Sequence, residues 1–412
     1  MKHVLSMAVS FGALCIATGA AYADCGIEAG SVRILSNDFE ALRIVASEAE
    51  ECASDTVTVT KNQTEEHKNL QVPALTIDPA EYTIAMVANN SLVPLLNDDL
   101  VQPMDDLVEK YGQDLLPNQL IRIDGKVMAI AFMANAQHFF YRSDILEEAG
   151  LEPPTSYEEI IEAAKVIQDQ GLMEYPLIAS NKAGWDLAAE FVNMYLGTGG
   201  EFFAPGSAEI AINNEDGLQV LATMKEMTEY MDPDYMTYSA NEMKADWEAG
   251  RVAMMTEWGS LAGATIDDEG STPEITGATV LTAAPTVGGG DIPAVALWWD
   301  GFALAKNISD EDAEASFQAM MHGIRPEVAE MYPEAATWLI KGYEPGAGAV
   351  GVVATANAGA RPYPMSPYIG LLHTALGSEL AEFMQGNESA EDALADVEAA
   401  YTAAATEAGF LN

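Results

Sequence analysis

The stretch Gly125–Ile160, GKVMAIAFMANAQHFFYRSDILEEAGLEPPTSYEEI, carries two strand-like runs, a small helix, a Pro-Pro turn and a capped helix. Thr155 and Ser156 stand against Glu158 and Glu159 as capping-box pairs behind Pro153-Pro154, opening a helix that runs to Gln170 and stops at Gly171. Within the strand-like part, Asn135, Gln137 and His138 sit beside Phe139, Phe140 and Tyr141. Such polar groups either plug a core or line a ligand pocket, and the surrounding segments decide between the two.

Upstream, SVRILSND (residues 31–38) alternates like a strand and ends in polar residues, FEALRIVASEAEECA follows with helical spacing, and DTVTVTKN is β-branched and alternating. EYTIAMVANNSLVPLLN is apolar from Thr83 to Val87 and breaks at Asn89-Asn90. Strand, helix, strand, helix, strand predicts an α/β fold with a mostly parallel, doubly wound sheet. Ligands of such sheets bind at the carboxyl ends of strands, which makes Asn37, Asp38, Asn89 and Asn90 site candidates by position. Downstream, helices are expected over residues 187–196, 217–231, 368–383 and 390–407, with another after Ser309. GRVAMMTEWGS, VLTAAP and WWDGFALAKN are expected strands, and the small-residue segment before Arg361 is expected to be a long irregular crossing.

The amino terminus carries Lys2, an apolar run from Val4 to Thr18 and the A-x-A signal Ala21-Tyr22-Ala23. This predicts a secretory leader, residues 1–23, cleaved after Ala23, and places the protein in the periplasm. Removing 23 of the 412 residues leaves 389, more than one core accommodates, so two domains are expected. The leader takes Cys15 with it. The remaining Cys25 and Cys52 form an even pair in an oxidising compartment and predict one disulfide.

The chain has 18 basic and 64 acidic residues, a net charge of −46; loss of Lys2, with no acid in the leader, makes it −47. Nucleic acid and anionic lipid are repelled by such a surface. The acids are spread along the chain, which fits a solvated shell suited to salty water. No H-E-x-x-H, C-x-x-C, G-x-S-x-G or phosphate-loop motif occurs, and the five His show no metal-ligand spacing. No cofactor, metal or catalytic residue is expected. What the sequence offers is aromatics beside hydrogen-bonding groups: Trp185 before Asp186, Trp258 after Glu257, Trp298-Trp299 before Asp300, and Tyr363 and Tyr368 after Arg361. A sugar ring shows an apolar C–H face and a rim of hydroxyls, so aromatics paired with carboxylates, amides and guanidinium suit polyol binding. Adjacent strand residues face opposite ways, so one of Trp298 and Trp299 can be core while the other faces ligand.

These segments, in this order, resemble the solute-binding proteins of carbohydrate ABC importers, the family that includes maltose-binding protein. GKVMAIAFMANAQHFFYRSDILEEAGLEPPTSYEEI is similar to that family's GK strand followed by YNKDLF and a P-x-TW turn. AGRVAMMTEWGS is similar to its G-[KR]-x-AM strand, WWDGFALAKN to its GG-to-KN strand, and GNESAEDALADVEAAY to its closing helix. Ala131 stands where the family usually has Pro, and Ser156-Tyr157 replaces Thr-Trp.

The resemblance implies a two-lobed periplasmic binding protein fold, each lobe a mostly parallel sheet flanked by helices. Crossings are expected near residues 128–131, near 281–285, and within 332–360. The lobes are then residues 24–130 with 284–332, and 131–283 with 333–412. It further implies that Asn135 and Gln137 are pocket wall, while His138 to Tyr141 pack the strand. The function implied is capture of a neutral sugar or polyol for a membrane permease, by a monomer. A cationic ligand caged by Trp with Glu257 and Asp300, or a secreted carbohydrate-active enzyme, are the alternatives. Arg361 and Lys182 are the only bases expected near the cleft.

Overall fold

A computed structural model describes residues 25–411 apart from residue 268, and the side chain of Asn241 is left aside. The leader and its cleavage site lie outside the described residues.

The strands, in chain order, are β1 (Gly30–Ser36), β2 (Val57–Gln63), β3 (Ile84–Ala88), β4 (Val101–Gln102), β5 (Leu120–Ile123), β6 (Lys126–Asn135) and β7 (Gln137–Arg142). They continue with β8 (Leu177–Ile178), β9 (Met254–Trp258), β10 (Thr279–Thr282), β11 (Ala296–Ala305), β12 (Thr337–Trp338) and β13 (Arg361–Pro362). Two sheets divide them. The larger runs β12-β6-β11-β3-β1-β2, with β5 on β6 and both β4 and β13 on β11; the smaller runs β10-β7-β9-β8. Helices cover both, giving two α/β lobes.

The expectation of mostly parallel sheets holds for β2, β1 and β3, whose connections are helical crossovers. It gives way at β11 and β6: β11 runs antiparallel to β3, β4 and β6, and parallel only to β13, because β11 and β6 each enter or leave the sheet through the hinge. In the smaller sheet only β8 and β9 are parallel.

The hinge follows from sheet membership. β6 stays in the larger sheet through Asn135 and β7 begins the smaller one at Gln137, so the first crossing is Ala136 rather than residues 128–131. The second runs from Thr282 to Ala296. The third follows Trp338, since β12 pairs with β6 in the larger sheet, beyond the expected boundary at residue 332. The small-residue segment before Arg361 is not irregular throughout. It forms a helix, Val350–Asn357, which seats Gly351 against the His138 ring, where a Cβ would come within 2.1 Å of Nδ1. Small residues serve close approach here.

Local signals explain the rest. Ser156 accepts from Glu159 N–H while the Glu159 carboxylate accepts from Thr155 N–H and its hydroxyl, so the predicted cap forms. Every β7 residue is buried. Phe139 and Tyr141 face the main core of the second lobe, while His138 stacks on Phe140 at 4.5 Å toward the other face. The disulfide Cys25–Cys52 joins the segment before β1 to the end of the helix Glu40–Glu50.

Candidate functional site

The site is assembled at the interlobe strand ends. Helix Trp185–Gly197 starts at Gly184, whose φ of +105° turns the chain and whose N–H donates to Gly377 O at 3.0 Å. Trp185 is thereby left 36 % exposed at the first helical position. Trp258 ends β9 and Trp298 lies in β11. The three rings form a triangle with centroid distances of 6.1, 5.9 and 6.0 Å.

Tyr363 stacks behind Trp298 at 4.1 Å, and His373 stacks on Trp185 at 5.1 Å. Burial holds the His373 pKa down to about 4, so the ring is neutral. Its Nε2 lies 3.0 Å from Trp185 O, an acceptor only; Nε2 therefore carries the proton and Nδ1 accepts from Tyr363 OH at 3.1 Å. The aromatic wall is thus locked from behind. The buried Trp298 Nε1 has no partner among the described residues.

Charged groups surround the rings. Lys68, on the helix His67–Thr76 of the first lobe, holds its Nζ 4.9 Å over the Trp185 ring of the second. By area Lys68 is exposed, yet the surrounding walls desolvate its ammonium and lower its pKa, with Asp300 and Asp186 opposing that shift. Both facts fit a group in a deep cleft. The Asp300 pKa is raised to about 7 by desolvation, against the pull of Lys68. Its carboxylate accepts no hydrogen bond among the described residues. Desolvation likewise raises Asp186. Behind the wall, burial pushes Glu190 up to about 8 and Glu257 well above the carboxylate range; one oxygen of Glu257 accepts from Trp258 N–H at 2.6 Å.

The structure brings together Trp185, Trp258, Trp298, Tyr363 and Asp300, with Glu257 behind Trp258. Trp299 packs on the opposite side, against the first-lobe core. Asn89 pins β11, accepting from Trp299 N–H at 2.9 Å, and Asn90 carries a buried side-chain oxygen without a partner among the described residues. Asn37 accepts from Asp38 N–H, and Asp38 pairs with Arg43 at the surface.

Two expected pocket-wall residues are spent on other contacts. Asn135 accepts from Ser260 N–H and donates to its hydroxyl, and Gln137 is bonded to Glu190 and Asn193. Arg361 and Tyr368 are not brought to the cluster. Arg361 donates to Gly200 O and pairs with Glu201, while Tyr368 OH donates to Ser207 O, because β13 turns both toward the loop after helix Trp185–Gly197.

Sequence reasoning missed Lys68 as the cleft base, and nothing in its neighbourhood marks it. It also missed Glu190 and Asn193, which were legible as two polar residues inside the apolar run LAAEFVNMYL. Recesses of about 530 and 610 Å³ open elsewhere, beside β8 and beside the helix Asn89–Asn97. Neither includes a residue of the aromatic triangle, and the chemistry favours the cleft.

This architecture, two α/β lobes crossed at a hinge with an aromatic cleft between, is that of a periplasmic binding protein. The sequence model for bacterial extracellular solute-binding proteins matches residues 57–320, and the chain belongs to that family. A "Probable ABC transporter-binding protein" of Deinococcus radiodurans is 29 % identical over 194 residues. That match takes in 45 % of this chain and 44 % of the relative, so the chain matches less than half of that relative's length.

Among solved structures, maltose-bound MalE3 of T. maritima superposes with a TM-score of 0.78 at 16 % identity, covering 91 % of this chain and 99 % of that one. A ribitol complex from Agrobacterium radiobacter K84 gives 0.74 at 20 % identity over 90 % and 97 %. A D-mannitol complex from Agrobacterium vitis S4 gives 0.75 at 19 % identity over 92 % and 99 %. At these identities the likeness shows the fold.

Proposed function

We propose that the protein is a non-catalytic periplasmic receptor. It captures a neutral sugar or polyol between its lobes and presents it to the membrane permease of an ABC importer. The carrying observation is the Lys68 ammonium over Trp185, within electrostatic reach of a desolvated Asp300, beside a cluster of three tryptophans from separate segments. Rings take the C–H face of a sugar, and the carboxylate and ammonium take its hydroxyls. Trp185, Trp258 and Trp298 stack, while Lys68, Asp186 and Asp300 hydrogen-bond. Relatives of this fold bound to maltose, ribitol and D-mannitol support a polyhydroxylated ligand. Closure buries the ligand between lobes, and its greater affinity for the closed form drives the motion.

A thermal-shift screen of sugars and polyols tests this reading, with betaines and polyamines as contrast. Ligand at 100 times its Kd adds about 2.7 kcal/mol to stability. Melting shifts with betaines or polyamines alone would refute it, as would hydrolysis products from oligosaccharides incubated with the protein.

A further inference from the structure

Helix Trp185–Gly197 carries a stripe at helical spacing, Asp186, Glu190, Asn193 and Gly197, that runs from the cleft along the hinge. Asp186 lies within electrostatic reach of Lys68. Glu190 Oε1 accepts from Gln137 Nε2 at 2.9 Å, and Asn193 Nδ2 donates to Gln137 Oε1 at 2.9 Å. Gln137 is the first residue after the Ala136 crossing. Asn193 Oδ1 in turn accepts from the N–H of Ala296, where the second crossing ends, at 3.0 Å. Glu190, Asn193 and Gln137 are 1 %, 2 % and 3 % exposed, so water does not compete for these bonds. Gly197 completes the stripe against the second crossing, where a Cβ would fall 2.6 Å from the Ala294 Cα. One helix face is therefore bonded to or pressed on two of the three crossings, while its first turn supplies Trp185 and Asp186 to the cleft.

We propose that Glu190, Asn193 and Gly197 are positioning residues that hold both crossings to the cleft-lining helix and thereby set the angle at which the lobes close. The inference rests on the receptor reading for its purpose, though not for its test. A ligand drawn onto Trp185 and Asp186 pulls on a rigid helix, and the buried amide relay passes that displacement to Gln137 and Ala296. The relay needs no contact with ligand. Gln137, which the resemblance made pocket wall, belongs to the hinge in this reading.

The test is small-angle X-ray scattering of the unliganded protein. Asn193→Asp keeps the acceptor for Ala296 N–H and removes the donor to Gln137. Gly197→Ala drives a methyl against the Ala294 backbone, which no side-chain rotation relieves. Val220→Ala, in the second-lobe core on helix Glu215–Met227, is the control for stability loss alone. Both relay variants are expected to shift the radius of gyration from the wild-type value, and the control to lower the melting temperature without that shift.

Scattering that superposes on wild type in both folded relay variants would overturn the inference. So would failure of Asn193→Asp to fold, which would make the relay a folding requirement instead. No ligand is involved, so a sugar screen without a binder refutes the receptor reading and leaves the hinge result intact. Unchanged scattering in a protein that binds sugars refutes only the hinge.

Discussion

The Lys68 ammonium of one lobe stands 4.9 Å over the Trp185 ring of the other, within the electrostatic reach of both Asp300 and Asp186. Its charge holds Asp300 below where burial alone would put it. Lys68→Met is expected to raise the apparent pKa of Asp300 above its value of about 7, read by carboxyl NMR titration. An unchanged or lower value would mean that the two groups do not interact.

Ligand affinity is expected to fall about ten- to a hundredfold in Trp258→Ala and in Asp300→Ala. Stacking on an aromatic is worth roughly 1–3 kcal/mol by analogy with base stacking. A hydrogen bond to a charged group contributes a similar amount. Calorimetric titration with the sugar or polyol selected by the screen measures both variants. Near-wild-type affinity in the two would put the site elsewhere. Tyr141→Ala, at a core position, is expected to lower the melting temperature instead.

Stability is expected to fall as pH rises from about 7 through 8, above the range in which the buried, neutral His67, His138 and His373 act in the opposite sense. Glu190 titrates near 4.5 when unfolded and at about 8 when folded. Between these values the folded chain keeps a proton that the unfolded chain has lost, so the unfolding free energy decreases with pH. The contribution is complete below the unfolded pKa and is lost as pH passes the folded one; Asp300, raised to about 7, adds in the same sense. Glu190→Gln should flatten the profile. A wild-type profile no steeper between pH 7 and 8 than that of Glu190→Gln would contradict the protonated, buried Glu190.

Thiol titration of the chain from Asp24 onward, denatured without reductant, is expected to find no free thiol. The Cys25–Cys52 bridge spans a sequence separation of 27 residues. On the chain-entropy model, closing a loop of that size stabilises by roughly 3–4 kcal/mol. Reduction should therefore lower the melting temperature.

Added sodium chloride is expected to raise the melting temperature from low ionic strength. A chain of net charge −46 repels itself. The screening length drops from about 30 Å at 0.01 M to about 10 Å at 0.1 M. A flat or falling melting temperature over that range would show that self-repulsion does not limit stability.

The fold was legible because its signals are local and repeated. The alternation in β1 and β2, the Ser156 cap and the apolar β6 and β7 runs each report a backbone period or a terminus. The hinge position was less so. Nothing in Phe132 to Asn135 says in which sheet those residues pair, since that depends on β11 and β12, far along the chain.

The pattern of tryptophans beside acids was legible, and the structure gathers Trp185, Trp258 and Trp298 from separate segments into one cluster. Asn135, Gln137, Arg361 and Tyr368 have the right chemistry but point along helices and loops whose placement is tertiary. Lys68 illustrates the converse. A lysine in a polar helix reads as surface, and only the second lobe, folded opposite it, makes it part of a site.

Pairing of β12 on β6 has a bearing on biogenesis. The larger sheet takes its last strands from residues 296–305, 337–338 and 361–362, after the smaller sheet's strands have been made. A growing chain cannot complete the larger sheet until residues 361–362 have been synthesised, long after the strands of the smaller sheet. Truncation short of that point leaves an open sheet edge in place of a half-sized domain. A nascent chain that stays incomplete this long remains threadable through a translocation channel for most of its synthesis.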